Sequence, residues 1–296
     1  MKLSLILTAC TLPIALSAQT VFNDSWADGS LAATEGTDIP WYTTTSTSAL
    51  EVGTGFMGLV SGSSGRGIHG LYTPTALNVG DSLTLTYTFT TPATIGTSRS
   101  DALRVSLANS LGRAIDSNQT LSSGSPNFLF DDLPAYMSSF DIATGTEDVR
   151  ILRHREDPLI DDGRFMSTTG EWNTLDDSAN DGYSFAAATE YVGVLTITRS
   201  GADEMTIFSS MSQGATLMAS FSAVDGTGSI PTTFDMLGFQ VNSNTFGTSN
   251  SPDTADNGID FTNINLVYTP VPEPSTYVFL FGALAFVLVF LRRRRS

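Results

Sequence analysis

Residues Ser82 to Thr91 read SLTLTYTFTT, so Leu83, Leu85, Tyr87 and Phe89 alternate with hydroxyl residues. A period of two puts those four side chains on one face of an extended strand and the threonines on the other. Threonine is β-branched and polar, which suits the wet face of such a strand. The same rhythm recurs at Leu103, Val105 and Leu107, set against Arg104 and Ser106. Tyr191 to Thr198 repeats it and is turned by Ser200-Gly201-Ala202-Asp203 into Met205 to Phe208, which reads as a hairpin. Further strands are expected at Ala49–Val52, Tyr136–Ile142, Val149–His154, Leu217–Val224, Phe234–Val241 and Phe261–Tyr268. No stretch of the body sustains a period of 3.6 over three turns. The chain carries 39 Thr and 35 Ser in 296 residues, enough to clothe many such strands. Strands this numerous, separated by Gly/Asp/Asn/Ser turns, predict an all-β, antiparallel two-sheet sandwich. The Ser61–Gly67 tract is short enough for a hairpin loop, and no linker divides the body, so one domain is expected.

Both ends break this rhythm. Residues 1–18, MKLSLILTACTLPIALSA, place Lys2 before an apolar run too short to span a bilayer, then Pro13 and the small Ser17 and Ala18. That is the build of a secretory signal peptide cleaved near Ala18. A competing reading takes Leu7-Thr8-Ala9-Cys10 as a lipobox, although only nine residues precede the cysteine. At the other end Tyr277 to Leu291 are fifteen residues without a charge, followed by Arg292, Arg293, Arg294 and Arg295. As a helix the run reaches about 22 Å, which snorkelling arginines bring close to a hydrocarbon core. The arginine cluster would stop transfer and stay cytoplasmic, leaving the body outside. Pro272-Glu273-Pro274, the apolar run and the terminal arginines together resemble the PEP-CTERM sorting signal of Gram-negative bacteria. The resemblance implies an exosortase, a membrane transpeptidase that cuts near Pro272-Glu273-Pro274, and an association with exopolysaccharide. The expected division is 1–18 signal helix, 19–270 β-sandwich ectodomain, and 271–296 sorting signal with its transmembrane helix.

Charge gains meaning once both ends are set aside. The whole chain has 30 acidic and 14 basic residues. Without Lys2, Glu273 and the four tail arginines, 29 acidic and 9 basic residues remain, and Cys10 leaves with the signal. A body near −20 excludes nucleic-acid binding driven by phosphate neutralisation. A single cysteine excludes a disulfide framework and a cysteine-cluster zinc site. Such a body suits cation-bridged contact with anionic polysaccharide.

The opening Phe22-Asn23-Asp24-Ser25-Trp26-Ala27-Asp28-Gly29 resembles the first strand of concanavalin A-like (laminin-G-like) jelly rolls. The resemblance implies that this strand pairs beside the last one, Phe261–Tyr268. Catalytic members of that fold place carboxylates as E-x-D-x-x-E on one strand, and no such spacing occurs here. His69 and His154 are the two histidines, and no G-x-S-x-G elbow accompanies them. Gly53-Thr54-Gly55-Phe56-Met57-Gly58 matches G-x-G-x-x-G by letters, but no helix follows it. The body is therefore expected not to be an enzyme. Calcium is the sharper use for the acids: Asp176, Asp177, Asn180 and Asp181 form one oxygen-rich stretch, and Asp253, Asp256 and Asp260 another. Plain acidic turns are the competing use. Trp41, Tyr42 and Trp172 could stack on sugar rings, and core packing competes for each. Arg150, Arg153, His154 and Arg155 sit among Glu147, Asp148, Glu156, Asp157, Asp161 and Asp162, which predicts ion pairing on a solvated strand, with an anionic-glycan contact as the competing use. The leading expectation is an exported matrix protein with a polysaccharide-associated sandwich. A secreted glycan-active enzyme and a simple membrane-anchored surface protein stand as alternatives.

Overall fold

A computed structural model describes residues 17–44, 50–60, 65–96, 101–119, 129–130, 132–142, 149–154, 165–166, 172–177, 183–226, 228–247, 258–271, 291 and 293. The signal segment 1–16 and the sorting residues Pro272, Glu273, Pro274, Arg292, Arg294 and Arg295 lie outside them, as does the apolar run except Leu291. The described strands are β1 (Gln19–Asp24), β2 (Trp41–Thr43), β3 (Leu50–Gly53), β4 (Phe56–Val60) and β5 (Arg66–Ala76). They continue as β6 (Ser82–Thr90), β7 (Leu103–Ala108), β8 (Ala135–Phe140), β9 (Val149–His154) and β10 (Trp172–Asp177). The last five are β11 (Glu190–Gly201), β12 (Glu204–Gln213), β13 (Thr216–Asp225), β14 (Thr233–Val241) and β15 (Gly258–Thr269).

Two antiparallel sheets stack face to face. The first runs β13-β12-β11-β6-β15-β4-β3, with β1 also paired to β15; the second runs β10-β9-β8-β7-β14-β5-β2. Sequence neighbours β11 and β12 form the expected hairpin, from Val192 opposite Ser212 to Gly201 opposite Glu204. The first and last strands pair as the jelly-roll resemblance implies, Gln19 opposite Tyr268 and Asp24 opposite Ile264. Strand β6 keeps its alternation without a break, and Leu83, Leu85, Tyr87 and Phe89 are buried in the central core. Rings from the two sheets interlock there: Phe239 of β14 lies 4.6 Å from Phe261 of β15 and 5.3 Å edge-on from Tyr87. Such pairs add roughly 0.5–1.5 kcal/mol each beyond the area they bury.

Local structure agrees with one reading of the sequence and corrects two others. The Gly53–Gly58 run is a hairpin, with Gly53 opposite Phe56 and Gly55 at φ 88°, a value that favours glycine. Strands β4 and β5, which flank the Ser61–Gly67 tract, belong to different sheets and form no hairpin, and Arg66 and Gly67 are already strand, while residues 61–64 lie outside the described residues. Asp176 and Asp177 end strand β10 instead of opening a loop. Strand β5, RGIHGLYTPTA, has no period-two signature because its middle is buried on both faces. Strands β7 and β8 are buried at every residue for the same reason, Arg104 and Ser106 included. An extra layer therefore covers the outside of the second sheet.

Candidate functional site

That extra layer lies over the outward face of β10-β9-β8-β7-β14-β5-β2. Ile115, Phe130, Leu133, Phe165 and Met166 pack there against Met137, Leu152, Trp172 and Met236 as a second, smaller core. Phe165 stacks on Phe130 at 5.4 Å. Gly238 makes the approach possible, since a Cβ at that position would fall 2.4 Å from Cε1 of Phe165. Polar ties hold the cover down: Nη1 of Arg104 donates to Met166 O at 2.7 Å, and Oγ of Ser106 donates to Sδ of Met166 at 3.3 Å.

His69 sits at the margin of this cover. Its Nε2 lies 2.8 Å from the carbonyl oxygen of Ile115, which can only accept, so Nε2 carries the proton. Its ring contacts Tyr42 and Phe130, each at 5.4 Å. Burial pushes its pKa down to about 4, opposed by the bond to Ile115, so the imidazole is neutral at pH 7. The ring ties segment 110–119 to the sheet.

The arginines of β9 do pair, but with acids far away in sequence and not on a solvated strand. Arg150 bonds Asp101, and Arg153 Nη1 donates to Asp225 Oδ2 at 2.9 Å. Asp225 also accepts the hydroxyl of Tyr136 at 2.8 Å. Burial raises the pKa of Asp101, but Arg150, Arg104 and Ser139 outweigh it and hold the carboxyl below the usual range. The Arg153–Asp225 pair joins β9 to β13, and Ser138 donates to Ser209 at 2.6 Å between β8 and β12, so polar contacts bolt the two sheets together.

Among the described residues, one open feature is a cleft of about 320 Å³ at the β2 edge, lined by Leu31, Pro40, Tyr42, Thr43, Leu50 and Asn118 among others. Asn118 stands in for a further strand: its Oδ1 accepts Thr43 N–H at 2.9 Å, while Thr43 O accepts Gln119 N–H at 2.8 Å. Tyr42 is half-buried on the face shared with His69. Burial, then the charge of Asp116, raises its phenol pKa, so the hydroxyl stays protonated and can donate. An aromatic ring beside amide and hydroxyl groups in a shallow cleft offers stacking and hydrogen bonding to a polar ring compound.

Of the three aromatic residues offered for sugar stacking or for core packing, the two tryptophans are packed in the interior. Trp41 is 3% exposed; its Nε1 donates to Asp24 Oδ2 at 2.7 Å and its ring lies 6.0 Å from Trp26. Trp172 is 6% exposed and stands edge-on to His154 at 4.9 Å. Only Tyr42 keeps an accessible side. Of the residues named for calcium, Asp176 and Asp177 are exposed and consecutive on β10, so their side chains leave opposite faces of the strand. Asp260 is half-buried on β15, in register with Gly58 and Thr90, while Asn180, Asp181, Asp253 and Asp256 lie outside the described residues. Among the described residues no three His, Cys, Asp or Glu side chains gather as a metal site.

The Phe22–Gly29 motif proves to be a structural corner. Asp24 Oδ1 accepts Trp26 N–H at 3.0 Å, and Trp26 O accepts N–H from Gly29 and from Gly55 at the β3–β4 turn. Asn118 and Asp24 were not singled out as partners of Trp41 and Thr43, because nothing in the sequence marks contacts across such separations.

Comparison with known proteins places the two parts differently. A family model described as the PEP-CTERM protein-sorting motif matches residues 270–295. The chain thus carries the signal of an exported, membrane-transiting protein sorted to the cell surface. Among the described residues no helix is long and apolar enough to cross a membrane. A search of curated proteins by sequence finds no match. The body is similar in fold to the VIP36 exoplasmic/lumenal domain, solved in a Ca2+/Man-bound form, at TM-score 0.51 and 9% identity, covering 87% of this chain and 94% of that one. A Lotus tetragonolobus seed lectin aligns at TM-score 0.47 and 12% identity over 86% and 100% of the two chains. An endo-1,3-beta-glucanase from Streptomyces sioyaensis aligns at 0.45 and 12% over 88% and 99%. The body has the two-sheet jelly-roll fold of the VIP36 domain, and the sorting motif follows it.

Proposed function

We propose that this is an exported surface protein whose tail is processed by an exosortase and whose sandwich is a non-catalytic carbohydrate-binding body associated with exopolysaccharide. The observation that carries the reading is the direct succession of two parts. Strand β15 ends at Thr269 and the sorting motif begins at 270, so the tail has one folded cargo to deliver. The fold likeness to the mannose-bound VIP36 domain supports a carbohydrate ligand for that cargo. The cleft at Tyr42 and Asn118 supports a place for it, with the phenol ring as platform and the Asn118 amide as polar partner. The covered outer face of the second sheet supports binding at the rim in preference to a deep groove across the sheet.

A panel of neutral and anionic polysaccharides, presented to the detergent-solubilised protein with calcium and with a chelator, tests the reading. Saturable binding without release of reducing ends is the expected result, and Tyr42→Ala should weaken it roughly tenfold, the scale of losing one aromatic anchor. Release of reducing ends or of unsaturated fragments would replace the binding reading with that of a glycan-active enzyme. No binding across the panel would remove the carbohydrate role altogether.

A further inference from the structure

Strand β15 does not trail loosely into the sorting motif; its end is clasped. Asp81 closes the turn between β5 and β6, and its carboxylate is buried. Its Oδ1 accepts Val271 N–H at 2.8 Å, while Oδ2 accepts the Tyr268 hydroxyl at 2.7 Å and Asn78 N–H at 2.9 Å. The turn is itself fastened to the β11–β12 hairpin: Gly80 N–H donates to Arg199 O at 2.7 Å, and Arg199 N–H donates to Asp81 O at 3.0 Å. The Arg199 guanidinium adds bonds to Leu77 O and Ala202 O, each at 2.9 Å. Gly80, at φ 97°, lets the Val271 side chain lie against the turn, where an added Cβ would come within 3.3 Å of it.

Two facts of position give this clasp a role. The matched sorting motif starts at 270, so Pro270 and Val271 belong both to the motif and to the folded body. Only residues 272–276 then separate Val271 from the apolar run at Tyr277, a reach of no more than roughly 20 Å when extended. An enzyme that cuts in so short a gap beside a membrane must also meet the end of the sandwich. That end carries two large exposed apolar side chains next to each other, Val79 at 54% and Val271 at 47%. A recess of about 370 Å³ between the start of β1 and the end of β5 opens beside Tyr268. The start of β1 is there too, since Gln19 lies opposite Tyr268.

We propose that the Asp81 clasp is a positioning device for the sorting reaction. It fixes Pro270 and Val271, so the folded sandwich presents Pro272-Glu273-Pro274 as a short tether held at its body end, with Val79 and Val271 as the face on which the sorting enzyme packs. The inference rests on the processed-tail reading given above. Each backbone residue that need not be ordered on binding favours the bound state by roughly fivefold to thirtyfold, so loosening the tether should slow processing about tenfold.

The test follows tail loss by pulse-chase and intact mass in a host that contains the sorting enzyme, using the full chain. Asp81→Ala opens the clasp. Inserting about six Gly/Ser residues between Val271 and Pro272 leaves clasp and sandwich intact, keeps residues 272–295 of the matched motif contiguous, and adds slack at its body end. Both variants should process about tenfold more slowly, while the spacer variant keeps the wild-type protease resistance of its body. Glu273→Ala serves as the control for recognition of the motif itself. Wild-type or faster processing of the spacer variant, with Glu273→Ala blocked, overturns the positioning role and leaves the sorting reading standing. Retention of Arg292–Arg295 in the wild-type protein overturns both.

Discussion

Replacing Asp24 by asparagine should erase a specific part of the protein's pH dependence. Asp24 is 2% exposed, and burial drives its pKa up to about 6; hydrogen bonds from Trp41 and Trp26 oppose that rise, and Asp38 and Asp28 add to it. An unfolded aspartate titrates near 3.8. A raised folded-state value means that the native protein binds this proton more tightly than the unfolded chain. The resulting stabilisation is fully present below about pH 4 and disappears as pH rises through about 6. Between pH 7 and pH 4.5 that amounts to about 2 kcal/mol gained on acidification. Asp24→Asn carries a neutral amide at all pH values and should lack this gain. It also loses an acceptor for Trp41 Nε1, which lowers its stability at pH 7 by about 1–3 kcal/mol. Asp81 and Asp101 are held low and act with the opposite sign, losing stabilisation as pH falls, but they do so in both proteins and cancel in the difference. Urea denaturation of wild type and variant at pH 7 and 4.5, followed by tryptophan fluorescence, gives the two differences directly. A wild-type advantage that grows by about 2 kcal/mol at pH 4.5 is expected. Parallel pH profiles would refute the assignment of Asp24 as a buried, proton-binding corner.

Three further outcomes follow from the packing. Arg153→Ala strands the buried Asp225 carboxylate and should cost about 3–5 kcal/mol in denaturant unfolding, with Asp225→Asn in the same chain recovering part of it. Phe165→Ala empties the cover over the second sheet and should cost about 3–5 kcal/mol; Trp172 emission should shift red as its surroundings open to water. Tyr42→Ala, at the half-exposed rim, should change stability by less than about 1 kcal/mol, so any loss of polysaccharide binding reports on the cleft and not on the fold.

How much of this was legible depended on how many faces of each strand meet water. Strand β6 has one wet face, and its alternation marks both its limits and its buried residues. Strands β7 and β8 and the middle of β5 have none, so their buried Arg104, Ser106 and His69 read as solvent-facing or as loop residues. The pairing of β1 with β15 was accessible through the Phe22–Gly29 motif, whose Asp24 and Trp26 make a corner. The sequence left Trp41 and Trp172 open between two uses because a tryptophan beside polar residues fits a sugar platform and a core edge equally well until its indole partner is known. The tail was legible because a membrane address is written in contiguous residues. Its clasp was not, since Asp81 meets Val271 across a separation of 190 residues.

The most direct test of the whole account is the intact mass of the protein recovered from the cell surface. A sandwich delivered free of both addresses should begin at Ala18 or Gln19 and end close to Pro272-Glu273-Pro274, without Arg292–Arg295. A surface protein that still carries the apolar run and its four arginines would contradict the account and leave a sandwich tethered by its own tail.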